Sequence, residues 1–436
     1  MARPIGVVST VLFLLLLALP VVVAIVDAAR TGGTAAALAA AGRGAGLYGL
    51  ALLLLAAVLS ARIPRLDRLF GGLTDLWSLH HVLGGFSLVL LMAHPLLLGL
   101  AASTDGVAAA TGVLMPPLRD WASWSGWAAL LLMMVFLAPS FRFFGRPPYE
   151  RWKKLHRLAA PAVVLALLHA GQFGALLPDP VYHGLLGLLG TAAIASFVWH
   201  FGLARRLGRL RYRVDRVIAV ANNVVELVLA PAGRRRLDYE AGQFIYLTPF
   251  DDRLEAGLGE EHPYTLTSRP GDPELRVAIK ALGDATRALQ SIRPGSPVRV
   301  EGPFGCFFPP HPERAELWIA GGIGIAPFLG RLRTLAGSGS AHDIRLIYCV
   351  QDEARARFAD ELAAKADGLD WFSLDMHYFY RLGPLSEDFV AAHCPDVAER
   401  DAFVCGPPPL DRLARGLLQR LGVPRARIHH ESFELL

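Results

Sequence analysis

LWSLHHVLGGFSLVLLMAHPLLL, residues 76–98, carries the first decision about this chain. It holds no Asp, Glu, Lys or Arg, and it is long enough for the roughly 20 residues that a helix needs to cross a bilayer. It therefore reads as a transmembrane helix, yet it contains His80, His81 and His94. Ionisable side chains inside a membrane are costly and tend to be functional. A second stretch, WKKLHRLAAPAVVLALLHA at 152–170, repeats the pattern with His156 and His169. At about 1.5 Å of rise per residue, His80 and His94 lie ~21 Å apart along their helix, and His156 and His169 ~19.5 Å apart along theirs. If both helices cross in the same direction, His80 matches His156 in depth and His94 matches His169. Two bis-imidazole sites stacked across the membrane are what two b-type haems need.

Angles refine the choice. At about 100° per residue, His80 falls within ~40° of the face of His94, whereas His81 falls ~140° away. We therefore take His80, with His81 as the alternative. The same test sets His156 ~140° from His169 in an ideal helix. Pro161 lies between them and can kink the helix enough to realign the pair. His183 and His200, at opposite ends of the last apolar stretch, read as interface residues.

Composition agrees with a membrane half joined to a soluble half. Of 436 residues, 53% are hydrophobic and 19% charged, too apolar for disorder or for an ordinary soluble enzyme of this size. Residues 1–208 hold 7 acids and 15 Lys or Arg; the remainder holds 31 acids and 28 Lys or Arg. The basic excess thus sits in the sparse charges of the first half, and no basic stripe marks a nucleic-acid surface in the second. Six apolar stretches are long enough to span: 6–27, 44–61, 77–101, 121–139, 155–174 and 182–204. The first is read as a span because its apolar run is long for a cleaved leader. With the N-terminus inside, fourteen basic residues fall in inside segments and three, Arg30, Arg43 and Arg119, in outside loops. That asymmetry orients a multi-pass protein of the plasma or inner membrane with its soluble half in the cytoplasm.

From residue 209 short β-rich runs separated by turns predict a small antiparallel barrel. From about 312 strands alternate with helices, as in a doubly wound α/β domain. The strand-to-helix turn GGIGIAP (Gly321, Gly322, Gly324, Pro327) suits a diphosphate: glycines let backbone N–H groups approach, and the helix N-terminus favours negative charge. It lacks the full G-x-G-x-x-G pattern. HPYTLTS (262–268) and KALGDAT (280–286) are the other distinctive strings; Gly283 and Thr286 suit either a phosphate or a helix cap. Cys306, Cys349, Cys394 and Cys405 form no CxxC pair, which argues against a zinc ribbon, a thiol-ligated cluster and covalent haem.

Together these residues resemble the ferric reductase/NADPH oxidase superfamily, in the manner of a bacterial NADPH-oxidase-like flavocytochrome b. The resemblance runs from about residue 40 to the end, through the two histidine helices, HPYT, GxxT, GPFG, GGIGIAP, CGPPP and ESFEL. It implies a multi-domain membrane protein with three parts. Residues 1–208 form a six-helix transmembrane haem-binding bundle, 209–311 a ferredoxin-reductase-like FAD barrel, and 312–436 an NAD(P)H-binding α/β domain. By the same resemblance His80, His94, His156 and His169 ligate two haem b groups. Tyr264 and Thr265, in the motif with His262 and Pro263, lie beside the flavin ring, with His262 towards the ribityl chain or phosphate. Lys280, Gly283 and Thr286 line the FAD diphosphate, and Gly321, Gly322, Gly324 and Pro327 the nicotinamide dinucleotide. Cys405 and Gly406 border the nicotinamide, and Phe433 stacks on the flavin until the nicotinamide displaces it.

The chemistry implied is transfer from cytosolic NAD(P)H through FAD and the haems to an acceptor at the outer face. FAD is needed because a nicotinamide gives up a hydride pair and a haem takes one electron. The largely apolar loop 102–120 and the few outer cations favour O2, giving superoxide, over an anionic ferric chelate. Two other readings stay open: an electron-donor module for a periplasmic protein, and a transporter-like protein with a regulatory nucleotide domain. Asp352 and Glu353 suit the ribose hydroxyls of NADH, whereas Arg355, Arg357 and Arg381 suit the 2′-phosphate of NADPH; the resemblance tilts the choice to NADPH. The sequence departs from larger relatives in its short loop between the fifth and sixth spans. It also shows no EF-hand and no ferredoxin-type cluster.

Overall fold

The computed structural model describes residues 3–63, 66–141, 145, 149–173, 179–309, 315–337 and 342–432. They divide into a helical unit of residues 2–63 and 75–205 and a second unit of residues 64–74 and 206–436.

The helical unit is built from apolar stretches that have nowhere else to satisfy their backbone groups in lipid. Helix α1 (Arg3–Leu59) contains both of the first two expected spans and is broken at Gly33, whose φ is 71°. It is followed by α2 (Leu73–Ala102), α3 (Val107–Leu114), α4 (Trp121–Leu137), α5 (Tyr149–His156), α6 (Ala159–Ala170) and α7 (Asp179–Val198), which continues as a π-type helix through Gly208. Among the described residues four helices are long and apolar enough to cross a membrane: Gly32–Leu59, Leu73–Asp105, Trp121–Ser140 and Pro180–Ala204.

The fifth expected span, 155–174, is interrupted. α5 ends at His156, a turn occupies Arg157 and Leu158, and α6 starts at Ala159. Pro161 has no N–H to bond the carbonyl of Arg157, and its ring disfavours helical geometry just before it. The core of this unit joins Leu50, Leu54 and Ala57 of α1, Met133 and Phe136 of α4, Ala162 and Val163 of α6, and Ala193 of α7. Outward, α2 exposes Val82, Phe86, Val89, Leu96 and Leu100, a stripe at helical spacing that suits lipid. Hydroxyls tie the helices where apolar packing alone has little directionality: Ser87 donates to Gly49 O at 2.8 Å, Ser196 to Ala57 O at 2.8 Å and Tyr182 to Ala170 O at 2.8 Å.

The second unit holds two sheets. The first is antiparallel, with strands β1 (Arg209–Ala221), β2 (Val224–Pro231), β3 (Phe244–Pro249), β4 (His262–Thr265), β5 (Leu275–Lys280) and β6 (Pro297–Phe304). Its order is β4-β3-β6-β1-β2-β5. A bridge between Leu266 and Val277 joins the two ends, so the sheet closes on itself as the sequence predicts. Val214, Leu227, Ile245, Leu266, Val277 and Val300 fill its interior. The short helix α8 (Asp284–Ala288) follows β5.

The other sheet is parallel: β7 (Glu316–Gly321), β8 (Ile344–Val350), β9 (Phe372–Tyr378), β10 (Asp401–Gly406) and β11 (Ile428–Ser432), in the order β11-β10-β7-β8-β9. Successive residues of β7 feed opposite faces: Trp318 and Ala320 enter one core, Leu317 and Ile319 the other. Both faces are buried, which is why the strand reads as a continuous apolar run. Helices α9 (Ala326–Leu335), α10 (Ala359–Gly368), α11 (Phe379–Leu382), α12 (Glu387–His393) and α13 (Pro408–Arg420) complete the doubly wound fold. The chain moves outward from β7 to β9 and then returns to the other side of β7. That reversal opens a crevice at the carboxyl ends of the strands, where such sheets bind ligands. Arg333 of α9 knits the two sheets together. It pairs with Glu361 at 2.7 Å and Glu226 at 2.9 Å, and donates to Thr267 O at 2.8 Å.

Candidate functional site

The helical unit brings four of the five histidines of the stretches 76–98 and 152–170 together in two pairs. The rings of His80 and His156 stand 6.1 Å apart between centroids, and those of His94 and His169 6.2 Å apart. His81 lies beside His80 and is exposed. An imidazole nitrogen sits about 2 Å from a bound metal and its ring centre about 1 Å beyond, so two rings sharing one ion stand ~6 Å apart. Both pairs fit that spacing.

In three of the four the second nitrogen is already occupied; among the described residues His156 Nδ1 has no hydrogen-bond partner. His80 Nδ1 donates to Ala56 O at 2.7 Å, His94 Nδ1 to Gly42 O at 2.8 Å, and His169 Nδ1 to Ala122 O at 2.9 Å. A carbonyl can only accept, so the proton belongs on Nδ1 and the Nε2 lone pair is free to ligate, the arrangement metal-binding imidazoles favour. His156 is oriented by rings instead: Trp152 stacks on it at 4.8 Å and Phe136 meets it edge-on at 5.2 Å. Among the described residues no cluster of three or more His, Cys, Asp or Glu is placed to hold a metal. Two imidazoles per site suit an iron already held by a macrocycle, and a bare ion prefers about four protein donors.

The His94–His169 pair opens on a cavity of about 570 Å³ lined by Leu47, Leu91, Trp127, Leu130, Ala166 and Phe173 among others. Two glycines that sequence reading missed shape this site. A Cβ on Gly46 would lie 2.7 Å from His94 Nδ1, and one on Gly126 2.7 Å from His169 Nδ1. Each sits four residues after the carbonyl that its histidine bonds, so the ring lies flat against a bare stretch of helix. The available signal was a glycine inside an apolar helix, which costs about 1 kcal/mol against alanine and asks for a packing reason.

In the barrel, HPYT forms the whole of β4. His262 Nε2 lies 3.4 Å from Glu260 Oε2. Tyr264 is buried, its hydroxyl has no hydrogen-bond partner among the described residues, and burial pushes its pKa up. An orphaned buried hydroxyl calls for a polar partner, so this position fits a flavin. Thr265 is also buried, and Pro263 between them pairs with Tyr246 of β3. Thr286 resolves towards the cap: its Oγ1 accepts from Leu282 N at 2.9 Å and Gly283 N at 2.8 Å.

The crevice of the parallel sheet is a cavity of about 910 Å³. Gly321, Gly322 and Gly324 border it after β7, Gly406 to Pro409 after β10, and Lys280 from the barrel. Only glycine fits at 324, where a Cβ would lie 2.3 Å from Cys405 O. Pro327 is buried at the start of α9. Cys405 is buried in the core behind the crevice, and burial pushes its thiol well up. Its backbone, not its sulfur, therefore faces the glycine turn. Phe433 lies outside the described residues.

Three family matches follow one another along the chain. Residues 45–167 match the ferric reductase like transmembrane component, 209–306 an FAD-binding domain, and 318–416 the oxidoreductase NAD-binding domain. The chain is 30% identical to the stachydrine N-demethylase reductase subunit Stc4 of Rhizobium meliloti, over 49% of this chain and 63% of that one. It is 29% identical to ferredoxin–NADP reductase B of Sorangium cellulosum, over 48% of this chain and 92% of that one. Several curated relatives are matched over only 58–66% of their own length. Among solved structures, the flavohem-like FAD/NAD binding domain of nitric oxide dioxygenase from Vibrio cholerae is 25% identical. It aligns over 51% of this chain and 98% of that one with a TM-score of 0.45.

Proposed function

We propose that this chain is a ferric reductase/NADPH oxidase-like flavocytochrome, on the strength of its three consecutive family matches, and that it carries electrons from cytoplasmic NAD(P)H to an acceptor outside. It is a membrane-embedded oxidoreductase with FAD- and NAD-binding domains. The finer reading adds six spans, soluble parts in the cytoplasm, domain limits at 208 and 311, and two haem b groups. His80 and His156 hold the inner haem, and His94 and His169 the outer one. When bound, FAD takes the hydride pair and hands electrons on singly, and the haems relay them.

The single observation that carries this reading is the pair of imidazole spacings, 6.1 and 6.2 Å, with Nδ1 of three of the four rings anchored to backbone carbonyls. The chain's own residues do the rest. Ala56, Gly42 and Ala122 fix the tautomer and direction of three imidazoles, so little reorganisation accompanies a change of charge. Tyr264 and Thr265 frame the flavin, with His262 and Pro263 in the same strand. Gly283 and Thr286 shape the turn towards its diphosphate. Gly321, Gly322, Gly324 and Pro327 with Gly406 receive the dinucleotide. Lys280 lines the FAD diphosphate at the border of the dinucleotide crevice. The proposed catalytic pair is Phe433 as the flavin cover and Cys405, whose role the burial of its sulfur restricts to the backbone.

With two imidazoles assigned to each haem, the iron would keep no open position, and an acceptor would be reduced without binding the metal. O2 is the acceptor we favour, with a ferric chelate second and a periplasmic protein partner third. One assay on detergent-purified protein separates them. A reduced-minus-oxidised spectrum must contain bis-histidine haem bands. NADPH or NADH oxidation must then proceed with O2 and generate superoxide sensitive to superoxide dismutase. Turnover with a ferric chelate and none with O2 replaces the oxidase reading by a metalloreductase. A spectrum without haem removes the relay altogether.

A further inference from the structure

The crevice contains a buried cation with no counter-ion among the described residues. Arg357 is 1% exposed. Its Nη1 donates to Arg355 O at 3.2 Å and its Nη2 reaches Asn223 Oδ1 only at 3.4 Å. Its Nε is buried and has no hydrogen-bond partner, and among the described residues no carboxylate lies within ion-pair distance. Taking a guanidinium out of water without pairing it is strongly unfavourable. Such a group persists where a ligand supplies the missing charge.

The other cations of the same region are spent. Arg355 is paired with Asp352, and Arg381 with Glu353, and Arg381 also lies over the Tyr378 ring at 4.8 Å. Both are half-exposed or more. Arg357 instead faces the glycine turn: a Cβ on Gly322 would lie 3.5 Å from its Nη1. Lys280 borders the same cavity, and its pKa is lowered by burial and then by the charges of Arg357 and Arg355. The crevice therefore presents two cations beside a turn that opens the helix α9.

We propose that Arg357 is the anion anchor of this crevice and binds the diphosphate bridge of a pyridine dinucleotide. The proposal rests on the reading that the crevice is the nicotinamide dinucleotide site. A diphosphate carries two negative charges and settles at the glycine turn and helix N-terminus. A 2′-phosphate belongs farther along, at the end of the next strand, where Asp352 and Glu353 stand with their arginines. Arg357 thus reads the part of the ligand that NADH and NADPH share. It positions the dinucleotide and takes no part in hydride transfer.

The test uses the full-length protein with its FAD content measured first. Flavin reduction is followed in single turnover against NADH and NADPH for wild type, Arg357→Gln and Arg357→Lys. Direct binding is titrated with ADP, 2′-AMP and adenosine. A charge-assisted contact predicts that Arg357→Gln raises the Kd of NADH, NADPH and ADP alike, by about tenfold to a hundredfold. The limiting rate of flavin reduction and the binding of adenosine stay unchanged, and Arg357→Lys recovers part of the loss. A loss confined to NADPH and 2′-AMP overturns the diphosphate assignment. Equal weakening of adenosine, or loss of FAD from both variants, makes Arg357 a packing residue and also overturns it. If neither nucleotide reduces the wild-type flavin while ADP still binds through Arg357, the electron-transfer reading fails and the anchor stands.

Discussion

At the scale of single residues, the two membrane glycines are the sharpest handle. Gly46 and Gly126 leave room for His94 and His169 to lie against the helix and bond the carbonyl one turn earlier. An alanine at either place puts a methyl 2.7 Å from Nδ1, far inside contact distance, so the ring must swing and its hydrogen bond must break. Outer-shell changes of this kind typically cost about 10–100-fold in metal affinity or activity. Gly126→Ala and Gly46→Ala should each lower haem content or acceptor reduction by that order, with flavin reduction by NAD(P)H intact; haem-to-protein ratio and flavin bleaching check it. Gly85, on the same helix as His94, meets nothing within 4 Å of an added Cβ and serves as the comparison.

At the scale of elements, the short 3-10 turn Leu66–Phe70 packs within the second unit although it precedes α2 in the chain. Asp67 is 2% exposed and its Oδ2 accepts from Gly305 N at 2.8 Å, while Arg68 pairs with Glu240 at 3.0 Å. Burial is the main cause of the raised pKa of Asp67. Its folded value lies above its unfolded one, so its contribution is fully present below the unfolded pKa and is lost as pH rises through the folded pKa. Asp67→Asn keeps an acceptor and cannot ionise. The difference in unfolding midpoint, Asn minus wild type, should therefore rise as pH is raised from about 4 to 7. Asp67→Ala should cost about 1–3 kcal/mol at every pH, because it leaves a buried N–H without a partner. A flat pH difference would remove the ionisation argument.

These elements also show what a sequence can carry. Depth was legible, because helix rise turns fourteen residues into a distance whatever surrounds them. The choice of His80 over His81 followed from angle in the same way, and the structure sets His80 opposite His156. The angle between His156 and His169 was not legible, since it depends on how far the turn before Pro161 rotates α5 against α6. Gly46, Gly126 and Asp67 were invisible for a related reason: each matters through a partner 43 to 238 residues away. Local pattern holds no record of that register. The strand-to-helix turn at Gly321–Gly324 was legible because its chemistry is local; the buried state of Cys405 and Arg357 was not, because burial is a property of the assembled core.

At the scale of the whole molecule, the chain joins a helical unit with two imidazole pairs to a second unit that matches FAD- and NAD-binding domains. The proposed path takes electrons out of the second unit and across the membrane through those pairs. The direct measurement places purified protein in sealed vesicles with an impermeant acceptor, ferricyanide, trapped inside, and adds NAD(P)H outside. Wild type should reduce the trapped acceptor. His94→Ala and His169→Ala should fall to background while their flavin is still bleached by NAD(P)H. Undiminished reduction of the trapped acceptor in both variants would contradict the account.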